Sequence, residues 1–186
     1  MLLQLIANHP EAVVTVIART PTWVWGLLAA LLALGISQLR ARHASLVRIA
    51  IMPIAMAGFA LFSMAADFRA SGALAWALGA WLAAAALVSA LIGVAAPAAG
   101  TRYDAASRTF ALPGSAVPLL LILGIFLTKY VVGIELAMQP ALKTDFGFAV
   151  SISALYGVFN GLFTGRAVRL LRLAFRPAAS LSTVNA

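Results

Sequence analysis

The chain has 186 residues, 63% of them hydrophobic and only 10% charged, which leaves too few polar side chains to clothe a soluble core of that size. Thirteen Lys and Arg against five Asp and Glu give a formal charge of +8, but the basic residues cluster at the ends of apolar runs and not along one face, which argues against a nucleic-acid partner. The absence of cysteine removes disulfides, iron–sulfur ligation, thiolate metal sites and cysteine nucleophiles together.

In chain order, residues 2–17 are apolar but broken by Asn8, His9, Pro10 and Glu11, and Met1 to Ile6 has no basic n-region. No secretory signal is expected there. The pieces are too short to cross a bilayer separately, so residues 1–19 read as an interfacial segment lying on the membrane or the bundle, with a sixth crossing as the alternative. About 20 helical residues at about 1.5 Å each cross a hydrocarbon core of about 30 Å. Residues 23–39, 49–66, 73–96, 118–139 and 148–170 meet that length. They predict one five-span membrane domain over residues 20–176, an all-α polytopic bundle, followed by a loose tail at 177–186.

Thr20 as N-cap with Pro21 at the first helical position suits the start of the first span. Trp23 and Trp25 then fall at interface depth. Pro53 is expected in the opening turn of the second span, and Asp67, Arg69, Ser71 and Gly72 make a short polar loop after it. Asp67 beside that loop reads as a solvated carboxylate, with Lys129 or Arg69 as alternative partners. Gly79, Ala83, Ala86, Ala90 and Gly93 give the third span a stripe of small residues. Residues 101–110 read as two extended pieces around a turn at 104–107, a small hairpin-like loop.

Basic residues near the span ends set the orientation. With the loop after the first span in the cytoplasm, nine fall inside: Arg40, Arg42, Arg48, Arg102, Arg108, Arg166, Arg169, Arg172 and Arg176. Arg19, Arg69 and Lys143, three in all, fall outside. The N-terminus is thus expected outside and the C-terminus inside. Arg166, Arg169 and Arg172 read as anchors whose stems lie along apolar surface.

Lys129 stands near the middle of the fourth span, 11 residues from one end and 10 from the other. A central lysine costs roughly 2.5–3.5 kcal/mol on insertion scales, so its ammonium should face protein or water. Glu135 lies six residues on, about 120° around the helix, poorly placed to pair with it. In the fifth span Ser153, Tyr156, Asn160 and Thr164 form a polar line beside Gly157, Gly161 and Gly165. The short connection at 140–147 suggests that spans four and five pack antiparallel, with Gly133 and the glycine repeat at the contact and Asn160 level with Lys129. Lys129, Glu135, Tyr156 and Asn160 form the candidate buried polar site, read either as helix glue or as a protonatable or solute-binding centre.

No phosphate-binding glycine loop, paired catalytic carboxylates or histidine-served nucleophile occurs, so no catalytic residues are assigned and an enzyme is not expected. His9 and His43 lie outside the apolar runs. No metal site or cofactor is expected. Several stretches resemble an uncharacterised family of small proteobacterial inner-membrane proteins, classed as a domain of unknown function. They are Thr20-Pro21-Thr22-Trp23-Val24-Trp25 with Gly35 and Gln38, Pro113-Gly114-Ser115 with Pro118-Leu119, the run Phe126 to Gly133, and Leu155-Tyr156-Gly157 with Gly161 to Arg166, between Thr20 and Phe175. The resemblance implies a bacterial inner-membrane protein of about five spans and adds weight to the Lys129 and Gly157-to-Arg166 neighbourhoods. The expectation is a non-enzymatic accessory or scaffolding membrane protein, partnered by lipid and by its own copies or another membrane protein. A small-solute or proton-coupled transporter using Lys129 is the alternative.

Overall fold

A computed structural model describes residues 17–69 and 72–175, so most of the N-terminal segment and the 177–186 tail lie outside the described residues. Five helices dominate: α1 (Thr22–Ser37), α2 (Leu46–Phe68), α3 (Leu74–Gly93), α4 (Val117–Met138) and α5 (Phe146–Ala174). The last four are long and apolar enough to cross a membrane, and the chain is a multi-pass membrane protein on that ground. At 16 residues α1 is apolar but shorter.

Local chemistry explains most boundaries. Ser45 caps α2 by accepting a hydrogen bond from the Arg48 amide at 3.3 Å, and Asp145 caps α5 through the Phe148 amide at 2.6 Å. Thr20 does not cap α1: Pro21 holds that position without a side-chain bond, while the Thr20 hydroxyl pairs with the Tyr130 hydroxyl at 2.6 Å. The threonine thus joins the start of α1 to α4. Because α2 begins at Leu46, Pro53 stands inside the helix and not in its opening turn. Its missing N–H leaves the Ile49 carbonyl without the usual intrahelical donor.

The expected all-α architecture gains a small sheet. Strands β2 (Arg102–Asp104) and β3 (Thr109–Leu112) form the hairpin, whose turn closes at Arg108 with φ 52°. A further strand, β1 (Arg42–Ser45), pairs antiparallel with β3, giving the order β1-β3-β2. Phe110 is fully buried within it and meets the Tyr103 ring at 4.7 Å. The sheet ties the loop after α1 to the loop after α3, and defines one end of the molecule, here the sheet end.

Among the helices the tightest pair is α3 with α5. Gly157 lies against Trp81 and Ala84, Gly161 against Ala85 and Val88, and Gly165 against Ser89 and Ile92. Residue numbers rise together on both helices, so the pair is parallel. The expected antiparallel contact between the fourth and fifth helices is therefore not the glycine interface. These two helices touch only sparsely, as where Gly124 meets the Phe159 ring. Gly133 is exposed, with nothing within 4 Å of where a Cβ would stand. Gly79 is likewise open, so of the small stripe's two glycines only Gly93 meets α5, at Val168. The parallel pairing follows from side-chain removal: three missing Cβ atoms on one face of α5 admit a whole helix wall.

At the end away from the sheet, α2 joins this pair. Met64, Phe68, Ala73, Ala77, Ala149 and Tyr156 form the buried cluster there, with the Phe68 and Phe148 rings edge to face at 6.1 Å. Helix α1 packs chiefly on α4. The molecule is thus an α2/α3/α5 unit beside an α1/α4 unit, bridged by the sheet and by the Pro140–Thr144 3₁₀ turn.

Candidate functional site

A cavity of about 510 Å³ lies between the two units, with walls contributed by α1, α2, α4 and α5. Leu31, Met52, Ile122, Phe126 and Phe163 make it strongly apolar. Lys129 lines it on the side away from the sheet, whereas Gln38, Arg42, Arg48 and Arg166 line it where the sheet meets the helices.

Lys129 projects from α4 across the gap and joins the two units. Its Nζ lies 3.4 Å from Asp67 Oδ2 near the end of α2, with the two side chains 26% and 27% exposed. The same ammonium stands 4.6 Å from the Tyr156 ring centroid and 5.9 Å from that of Phe59, within the range of cation–π attraction. A charge placed mid-helix is therefore met by a carboxylate and two aromatic faces. Asp67, read from sequence first as solvated with Lys129 or Arg69 as alternative partners, is paired with Lys129 across 62 positions of sequence.

The other expected members of the polar site are distributed differently. Tyr156, not Asn160, comes level with Lys129. Asn160 is buried and donates to the Tyr156 carbonyl within its own helix at 3.0 Å, while its Oδ1 finds no partner among the described residues. The buried Ser153 and Tyr156 hydroxyls also lack one there. Glu135 is half-buried farther along α4 and is not among the contacts of Lys129. The structure thus brings together Lys129, Tyr156 and Asp67, leaving Asn160 one turn away and Glu135 outside. No cluster of three or more metal-ligating side chains occurs among the described residues.

The sheet end shows a second convergence that sequence spacing conceals. Arg42 from β1, Arg48 from the first turn of α2 and Arg166 from α5 share the cavity wall, and Arg42 lies close enough to both others for their charges to repel. Burial first, and the Arg48 charge second, hold the Arg42 guanidinium below its ordinary pKa. Farther along α5, Arg172 donates to the Gly93 carbonyl at 3.0 Å, satisfying an orphan acceptor at the C-terminus of α3. The arginine-rich end of α5 therefore includes a helix cap as well as stems in apolar surroundings.

Residues 1–180 match the model of a family of unknown function (DUF6622). The match begins ahead of the 20–175 stretch that carried the resemblance and takes in residues 2–17. Neither a curated protein nor a solved structure matches the chain.

Proposed function

The chain belongs to the family of unknown function DUF6622, and from that premise we propose that it is a non-enzymatic scaffolding protein of the bacterial inner membrane. In this reading all five helices span, α1 completing its crossing with residues flanking Thr22–Ser37. The N-terminus is outside, and the sheet end, which collects Arg42, Arg48, Arg102, Arg108 and Arg166, faces the cytoplasm.

The observation that carries the scaffolding role is the Lys129–Asp67 pair at 3.4 Å. Between the ends joined by the sheet and the 3₁₀ turn, two helical units that share little direct packing meet through one ion pair and the aromatic faces around it. A bilayer supplies little hydrophobic force between helices, so such a polar contact sets their arrangement. The exposed apolar faces of the bundle, including Trp76, Leu82, Leu87 and Leu91 on α3, remain for lipid or for a membrane partner.

Transport through Lys129 is the competing reading, favoured by the cavity that reaches it. Lys129→Met separates the two. Reconstituted protein carrying K129M should lose thermal stability or assembly without any change in proton or solute flux. Wild-type flux that disappears in a fully folded, normally assembled K129M protein would overturn the scaffolding role.

A further inference from the structure

We infer that the cavity is a binding site for a membrane lipid with an anionic, phosphate-bearing headgroup, one acyl chain lying along the apolar walls and the phosphate held by Arg42, Arg48 and Arg166. This goes beyond the scaffolding role and makes no use of the Lys129–Asp67 pair.

The charge balance is the first support. Three arginines line one end of a single cavity, and no carboxylate among the described residues pairs with them. Asp67 is engaged by Lys129, Asp104 by the Ser107 hydroxyl and Ala106 amide, and Asp145 by the Phe148 amide. Glu135 lies on the half of α4 away from the sheet. A phosphate fits this environment because guanidinium groups donate pairs of charge-assisted hydrogen bonds to its oxygens. Helix ends lie where headgroups lie in a bilayer, so the site is at the correct depth for a lipid phosphate in either orientation.

The apolar walls select the rest of the ligand. A volume of about 510 Å³ falls among those of small-molecule sites, roughly 300–1,000 Å³. A helix about 10 Å across would place only about one turn in it, which disfavours a segment from a second copy, while a free anion would leave the walls unfilled. An entrance exists from the membrane side: α1 and α2 pack little on each other, and the lining residues Leu27, Leu34, Met52 and Phe59 are 44%, 42%, 42% and 52% exposed.

Native mass spectrometry of the full chain in neutral detergent, titrated with dioleoylphosphatidylglycerol or dioleoylphosphatidylcholine, tests the assignment. The expected result is one saturable phosphatidylglycerol per chain, with weaker binding of the zwitterionic lipid. Arg42→Gln and Arg166→Gln should each weaken phosphatidylglycerol binding about fivefold, equivalent to about 1 kcal/mol at 1.4 kcal/mol per tenfold. Arg48→Gln, at an exposed position that folding tolerates, should do the same, while Arg40→Gln, outside the cavity, should leave it unchanged. Leu31→Trp, which fills the tail channel, should abolish the bound lipid in a protein that still unfolds cooperatively. Equal affinity for both lipids, or equal losses in R40Q and R166Q, would overturn the site in favour of diffuse attraction. Displacement by glycerol 3-phosphate at lipid-like concentrations would overturn the role of the tail, and a dimer dissolved by L31W would assign the cavity to a second copy.

Discussion

Adding one methyl group at Gly161 tests the α3/α5 interface directly. A Cβ there would stand 2.7 Å from Val88 Cβ and 2.8 Å from the Ala85 carbonyl oxygen, closer than real atoms approach. One obstacle is backbone, so side-chain rotation cannot relieve the clash and the parallel helices must separate locally. Overpacking of this kind costs about 1–3 kcal/mol. Replacing glycine by alanine inside a helix returns about 0.5–1 kcal/mol, leaving a net loss of up to about 2.5 kcal/mol. Gly157→Ala should be at least as severe, since two of the three nearest atoms, the Trp81 carbonyl carbon and oxygen, belong to the backbone. Gly133→Ala provides the control: with nothing within 4 Å, only the helix gain remains, and the variant should be neutral or slightly more stable. Reversible unfolding in mixed detergent micelles measures all three. The packing argument fails if G161A and G157A are as stable as G133A.

The Lys129–Asp67 pair predicts unequal single and double variants. K129M, which strands a carboxylate, should destabilise by about 1–3 kcal/mol, below the range for fully buried pairs because both side chains are about one quarter exposed; a K129M/D67N double variant that recovers none of this loss would argue against the pairing. Tyr156→Phe keeps the ring under the ammonium and removes a buried hydroxyl with no partner among the described residues, so its unfolding midpoint should be unchanged or raised, whereas Tyr156→Leu should lose about 0.5–2 kcal/mol in the same measurement. At the hairpin turn, bonds from the Ser107 hydroxyl and then the Ala106 amide hold the Asp104 carboxyl below its ordinary value of 3.8. The carboxylate form is thus favoured by the folded turn, whose support is complete above the unfolded value and lost as pH falls through the lower folded one. Backbone resonances of residues 104–109 should report fraying in strong acid, and Asp104→Asn should remove that pH dependence.

Helix positions were legible because hydrophobic length alone marks a bilayer-scale segment, and α4 lies within one residue of its expected bounds. Pairing was not. A short connection between α4 and α5 suggested antiparallel neighbours, but the 3₁₀ turn at Pro140–Thr144 and the Asp145 cap lead α5 toward α3 instead. The glycine repeat announced a close contact without naming the partner, because small side chains admit any wall of suitable shape. Strand β1 carries only Arg-His-Ala-Ser, too short for alternation to show, and its pairing depends on residues more than 60 positions later. The Lys129 site was legible as a problem of a charge in an apolar run. Its solution, Asp67, stood in the sequence only as one alternative, because distance along the chain leaves the choice between solvent, Arg69 and Lys129 open; the meeting of Arg42 and Arg48 with Arg166 was hidden for the same reason.

The pairing of β1 with β3 bears on the timetable of synthesis. Residues 42–45 leave the ribosome before α2 and α3 do, yet the backbone groups they offer cannot be matched until residues 109–112 follow. Likewise α3 must wait through the emergence of α4 before α5 arrives with the glycine-lined face that receives it. Neither junction can close as a simple hairpin of consecutive elements, so truncation after α4 should leave a nascent chain with an open helix face, a natural substrate for membrane quality control.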